Sequence, residues 1–218
     1  MKGMLIKDFK LLATQKRTIG LFGMIGLMLI VTNMDPGFVL AYLTFLCCNL
    51  ALSTISYDNI DNGNAFLFTL PLSRRGYVSE KYLFSIGIGT AAWFVSGAMC
   101  LLIGLIQKTG MDVSEFVVYA PVYLLLAFLM AAFMIPIQLK FGAERARTIL
   151  VGMVGGLFLV VVLTGRAIKK LGLDVEKLFH AFGGLGIGTI LFVICILVIG
   201  LTAVSWRISC RIMEKKEF

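Results

Sequence analysis

Hydrophobic positions gather into six long runs, at residues 18–34, 38–55, 83–106, 116–139, 149–165 and 182–206. A helix of about 20 apolar residues crosses the hydrocarbon core of a bilayer, so the pattern predicts six membrane helices. The first and fifth runs are at the short end of that range. Asp35-Pro36-Gly37 predicts a tight connection between the first two. The longest polar interruption is 57–82, which carries Asp58, Asp61, Arg74, Arg75, Glu80 and Lys81. Lying between two apolar runs, it predicts a water-facing loop. Inside it is an apolar island at 65–70, preceded by Asn62, Gly63 and Asn64 and followed by Pro71. Asn64 suits a helix start, because its side-chain oxygen can accept a free backbone N–H. Pro71 disfavours helical backbone at Leu70 and ends the turn. A short helix presenting Phe66, Leu67 and Phe68 follows. Two readings stand side by side. These side chains fold back on the protein's own helix ends and the headgroup region, where apolar residues are common, or they dock into another protein.

Composition narrows the class. Hydrophobic residues make up 59% of the 218, and the mean hydropathy is +0.95. A soluble globule of this length has too little interior for that share. The reading is an all-α polytopic membrane protein forming a single transmembrane domain over residues 1–218. Charge then sets topology. Fifteen of the 20 Lys and Arg residues fall on the side of the two chain ends. The positive-inside rule therefore places both termini in the cytoplasm. The whole formal charge of +8 lies on that side, since charges on the other side cancel. Anionic lipid accounts for it without a nucleic-acid partner.

Residues 1–17 predict an amphipathic interfacial helix, with Leu5, Phe9 and Leu12 on one face and Lys7, Lys10, Thr14 and Arg17 on another. This opening is long and charged, and no small-x-small cleavage site follows the first apolar run, so it does not read as a signal peptide. Gly20, Gly23 and Gly26, Gly152-x-x-x-Gly156 and Gly184-x-x-x-Gly188 predict close helix packing in lipid. Asp112-x-x-Glu115 has the spacing of a capping box. Pro136 is placed to loosen the inner end of the fourth span. In the loop 166–181, Val175, Leu178, Phe179 and Phe182 recur at helical spacing behind Asp174. They predict a short outer helix, an interfacial anchor or a lid over an exit path. His180, the single histidine, reads as a surface residue, because a metal site needs several ligands. The five cysteines form no C-x-x-C motif and read as buried structural thiols.

The chain also lacks familiar chemistry. It has no P-loop sequence, no Gly-x-Ser-x-Gly and no His-Glu-x-x-His. No Asp or Glu lies in the middle of a predicted span, where proton- or cation-coupled carriers keep them. Polar residues inside the spans are mild: Asn33, Asn49, Ser53, Thr90, Ser96, Gln107 and Gln138. They can bond between helices or line a route.

Several stretches together resemble ABC-2-type transporter permeases, in particular small bacterial permeases grouped with peptide and bacteriocin exporters. They are Tyr57-Asp58, Thr69-Leu70-Pro71 with Ser73-Arg74-Arg75, Val78 with Lys81-Tyr82, the opening MKGMLIKDFKLL, and Pro136 with Lys140-Phe141-Gly142. The resemblance implies that the short helix is a coupling helix seated in a groove of a separate ATP-binding cassette subunit. It further implies that ATP and Mg bind on that partner and that this chain carries no cofactor. The implied contact residues are Asp58, Asn64, Phe66, Leu67, Phe68, Leu70, Pro71, Arg74 and Arg75. Two permease chains, identical or related, would pair in the cytoplasmic membrane and export an amphipathic peptide or similar cargo. Two alternatives are a non-transporting immunity or sensor protein and a lipid-modifying enzyme. The enzyme would have to work with Asp58 and Asp61, without the further carboxylates that metal-phosphate chemistry recruits.

Overall fold

The computed structural model describes residues 2–32, 34–59, 63–70, 72–107, 113–170 and 187–216. Every regular element among them is a helix. In order these are α1 (Lys2–Thr14), α2 (Lys16–Val31), α3 (Pro36–Asn59), α4 (Gly63–Leu67), α5 (Arg74–Gln107), α6 (Val113–Phe141), α7 (Ala143–Lys170) and α8 (Ile187–Glu214). The six apolar runs thus fall on α2, α3, α5, α6, α7 and α8. Four of these, α3, α5, α6 and α8, are long and apolar enough to cross a membrane. Helix α2 has 16 residues, about 24 Å at 1.5 Å per residue, which is less than the ~30 Å core.

Local chemistry sets the helix ends. At the start of α3, Asp35 accepts the Phe38 N–H at 2.9 Å, and Pro36 holds the first helical position, where its missing N–H costs nothing. A Cβ on Gly37 would lie 2.6 Å from the Tyr123 hydroxyl, so only glycine lets α6 approach here. Helix α6 stops at Gly142, whose φ of 79° few other residues adopt. Its N–H donates to the Gln138 carbonyl at 2.9 Å, and α7 departs at once.

Helix α3 is the hub. It packs on α5 and α6 most extensively, and also on α1, α2, α4 and α7. It is the most enclosed of the four long apolar helices. The main core joins Met4, Leu52, Ile55, Tyr77, Leu139 and Met213. Both ends of the chain therefore lie on one face. A smaller core of Ile30, Val39, Leu43 and Cys100 holds α2, α3 and α5 near the opposite face. There Gly26 takes the Leu43 side chain, whose tip would lie 2.8 Å from an added Cβ.

The structure corrects two sequence expectations. The polar interruption at 57–82 is not a continuous loop, because α3 runs to Asn59 and α5 starts at Arg74. Helix α5, at 34 residues, is about 51 Å long and overshoots the hydrocarbon. Second, α1 buries Met4, Asp8 and Leu12; Phe9 is 55% exposed. A carboxylate occupies the inward face because a lysine awaits it there. Of the mild polar residues, Ser53, Thr90 and Ser96 bond the carbonyls of Leu50, Ile86 and Ala92 in their own helices, while Asn49 bonds the Phe45 carbonyl and also reaches Met130 of α6 at 3.8 Å. Further links between helices come from Tyr82, whose hydroxyl bonds Ser205 and Ser209 at 2.6 and 2.9 Å, and from Trp93, whose indole N–H reaches the Ala120 carbonyl at 2.8 Å. Asn33, Asp112 and the outer helix with His180 lie outside the described residues.

Candidate functional site

Helix α4 sits on the face that carries the chain ends. Asn64 lies within its first turn, so its side chain does not cap the helix start; the Asn64 carbonyl accepts the Phe68 N–H at 3.1 Å. The Asn64 amide nitrogen instead donates to Asn59 Oδ1, tying α4 to the end of α3. Leu67 and Phe68 turn inward on the main core. The Phe68 ring meets Tyr77 edge-on at 5.7 Å, and the Arg74 guanidinium stands 6.0 Å over it. Phe66 points the other way and is 71% exposed; Leu70, just beyond the helix, is 46% exposed. The two readings left open for the island thus divide it: Leu67 and Phe68 fold back, and Phe66 and Leu70 remain outside.

Arg74 clamps this arrangement. It donates to the carbonyls of Met213 and Glu214, at 3.1 and 2.6 Å. Those carbonyls lie in the last turn of α8, where a cation is favoured by the helix dipole. Arg75 pairs with Glu214 at 2.7 Å. The side chains of Arg74 and Phe68 therefore brace α4 against α5 and α8. Pro71 and Asp61 lie outside the described residues.

Asp58 is not at the surface. It is 5% exposed and belongs to an ion cluster beneath α4 that joins α1, α3 and α5. Lys7 contacts Asp58 Oδ1 and stands 3.1 Å from Asp8. Lys81 contacts Asp8 Oδ2 and lies 2.8 Å from Asp58 Oδ2 and 3.8 Å from Glu80. Tyr77 donates to Asp58 at 3.0 Å, and Lys81 donates to the Thr54 hydroxyl at 3.2 Å. Asp8, Glu80 and Lys81 are at most 1% exposed. Burial opposes the charge on Lys7, yet the carboxylates of Asp58 and Asp8 more than offset it and raise the ammonium pKa above its ordinary 10.5. Desolvation offsets much of the attraction in such a buried cluster, yet removing one partner strands the charges that remain.

Sequence reasoning missed Lys7, Asp8, Tyr77, Glu80 and Lys81 as a group. A signal was present: Asp8 lies four residues from both Met4 and Leu12, in the middle of an apolar stripe, and Tyr77 lies one turn from Lys81. Among the described residues, no three His, Cys, Asp or Glu side chains gather as a metal site.

The family of ABC-2 family transporter proteins matches the chain over residues 3–214. The chain belongs to that family, and is the multi-pass membrane component of a transporter. Permeases of this family normally work with an ATPase subunit. No curated protein and no solved structure matches the chain.

Proposed function

We propose that this chain is the permease half of an ABC-2-type exporter, driven through α4 by a separate ATP-binding subunit. The observation that carries it is Phe66, a large apolar side chain held out from a short, braced helix. Phe66 and Leu70 form the knob that enters the partner's groove, and Leu67, Phe68 and Arg74 hold it rigid. Asn64 acts from beneath by tying α4 to α3, and Asp58 by tying α3 to α1 and α5. Force on the knob reaches α5 through Tyr77 and α8 through Arg74. ATP and Mg reside on the partner subunit.

Two permease chains pair in this reading, each with six spans and both termini in the cytoplasm. Helices α2 and α7 supply the support. Gly20 and Gly23 of α2, and Gly152, Gly155 and Gly156 of α7, have nothing within 4 Å of an added Cβ. Small residues allow close helix approach in lipid, and these meet no neighbour among the described residues. Apolar side chains flank them, with Met24, Met28 and Phe158 about 70% exposed. The cargo, an amphipathic peptide or another hydrophobic molecule moved outward, follows from the resemblance to peptide exporters.

The test is the double substitution Phe66→Ser with Leu70→Ser. Burying a phenylalanine contributes about 2 kcal/mol, so affinity for the ATP-binding subunit falls about thirtyfold or more. Thermal stability in detergent stays unchanged, because both side chains are outside the core. Undiminished association and undiminished ATPase stimulation overturn the proposal.

A further inference from the structure

A groove of about 620 Å³ opens between α5, α6 and α8. Its walls include Ile86 of α5, Leu125 and Phe128 of α6, and Val198, Ile199 and Ala203 of α8. Tyr82, Thr202 and Trp206 already spend their polar hydrogens on the protein. The Tyr82 hydroxyl is held by Ser205 and Ser209. Thr202 donates to the Val198 carbonyl at 2.7 Å. The Trp206 indole N–H donates to Ser79 at 3.0 Å. A buried water needs two to four polar partners, and this almost wholly apolar wall offers few. The volume falls within the ordinary range of small-molecule sites, roughly 300–1,000 Å³. The occupant that fits is hydrocarbon.

Its depth and ends identify the hydrocarbon. The lining on α8 runs from Cys195 to Trp206, about 16 Å at 1.5 Å per residue. One leaflet of the ~30 Å core has that depth. Trp206 and Ser79 close the end nearest the chain termini, at the level where tryptophans mark the headgroup boundary. Each wall has an arginine at or just beyond this end, one turn past Ser79 on α5 and directly after Trp206 on α8. Arg75 is four residues before Ser79, and Arg207 is four residues after Ala203. Arg75 is shared with Glu214, while Arg207 is exposed. A cation at this depth meets lipid phosphate.

We infer that the groove binds one acyl chain of an anionic phospholipid from the leaflet on the side of the chain termini, with the headgroup at Arg207. The site does not depend on an ATP-binding partner, so it is tested on the permease alone.

The chain has two tryptophans, so Trp93→Phe leaves Trp206 as the only reporter. The protein is reconstituted into phosphatidylcholine vesicles in which a low fraction of lipid carries brominated acyl chains, as either phosphatidylglycerol or phosphatidylcholine. Brominated phosphatidylglycerol quenches Trp206 with an effective binding constant about fivefold above that of phosphatidylcholine, the gain expected per basic residue near anionic lipid. Arg207→Gln reduces the ratio toward one, and Arg207→Lys keeps it. Ala203→Phe, which fills the groove from an exposed position, lowers quenching by both lipids. Equal quenching by the two lipids overturns the inference. So does a preference that survives Arg207→Gln or quenching that survives Ala203→Phe. Cross-linking between two copies through Ala203→Cys, with Trp206 shielded from both lipids, makes the groove a protein interface and overturns it too.

Discussion

Replacing Lys81 by Met removes the charge at the centre of the cluster while keeping most of the side-chain volume. Lys81 is 1% exposed and faces Asp8, Asp58 at 2.8 Å, Glu80 at 3.8 Å and the Thr54 hydroxyl. The native group contains two ammonium ions and three carboxyl groups. The variant leaves Lys7 alone opposite Asp8, Asp58 and Glu80. Breaking a buried ion pair from one side typically costs about 3–5 kcal/mol, because the remaining charge is stranded. Asp8 has no second lysine within reach except Lys7 at 3.1 Å, so the cost concentrates on α1. Denaturant unfolding in detergent micelles gives the loss directly. A double-mutant cycle with Asp8→Asn then isolates the pair. The double variant is expected to be less destabilised than the two single variants combined, by about 1–3 kcal/mol. A single-variant loss below about 1 kcal/mol, or additivity within about 0.5 kcal/mol, refutes the reasoning. The cluster would then be a set of independent contacts and could not hold α1 to the spans as a unit.

Two further outcomes follow from the structure. Tyr82→Phe removes both hydroxyl contacts to α8 and costs about 1–3 kcal/mol at roughly 0.5–1.5 kcal/mol per hydrogen bond, read as a lower midpoint in the same unfolding assay. The raised Lys7 pKa fixes the sign of a pH effect. Its stabilising contribution is fully present below the unfolded value near 10.5 and is lost as pH rises through the higher folded value. Docking of α1, followed by cysteine labelling at Leu12→Cys, is therefore constant through neutral pH on account of Lys7. It loosens only above about 10.5, and Lys7→Met abolishes that alkaline step.

Hydropathy located the helices because a lipid-facing helix and an apolar run have the same sequence signature. It could not locate their ends. Glu80 and Lys81 are polar, and the pattern reads them as solvated, yet α5 continues through them and buries both. Lys81 is charged because it faces Asp8 and Asp58, and partners on distant helices leave no periodic trace. The same ambiguity applied to Asp58, which local pattern placed on a surface loop and packing placed under it. Phe66 was legible as part of an apolar island in a polar context. Its separation from Phe68 was not, because the direction of each side chain depends on Tyr77 and Arg74 arriving from another helix. Glycines gave a divided result. Gly26 closes against Leu43 as small-residue packing predicts, while Gly20 and Gly23 meet nothing among the described residues.

The most direct measurement is co-purification with an ATP-binding subunit followed by site-directed cross-linking to it. A cysteine at position 66 carries a short bifunctional reagent, and a cysteine at exposed Phe38, near the opposite face, serves as the comparison. The account predicts an adduct from position 66 that changes in yield with ATP, and none from position 38. An ATP-binding subunit that co-purifies yet forms no adduct at position 66 contradicts it.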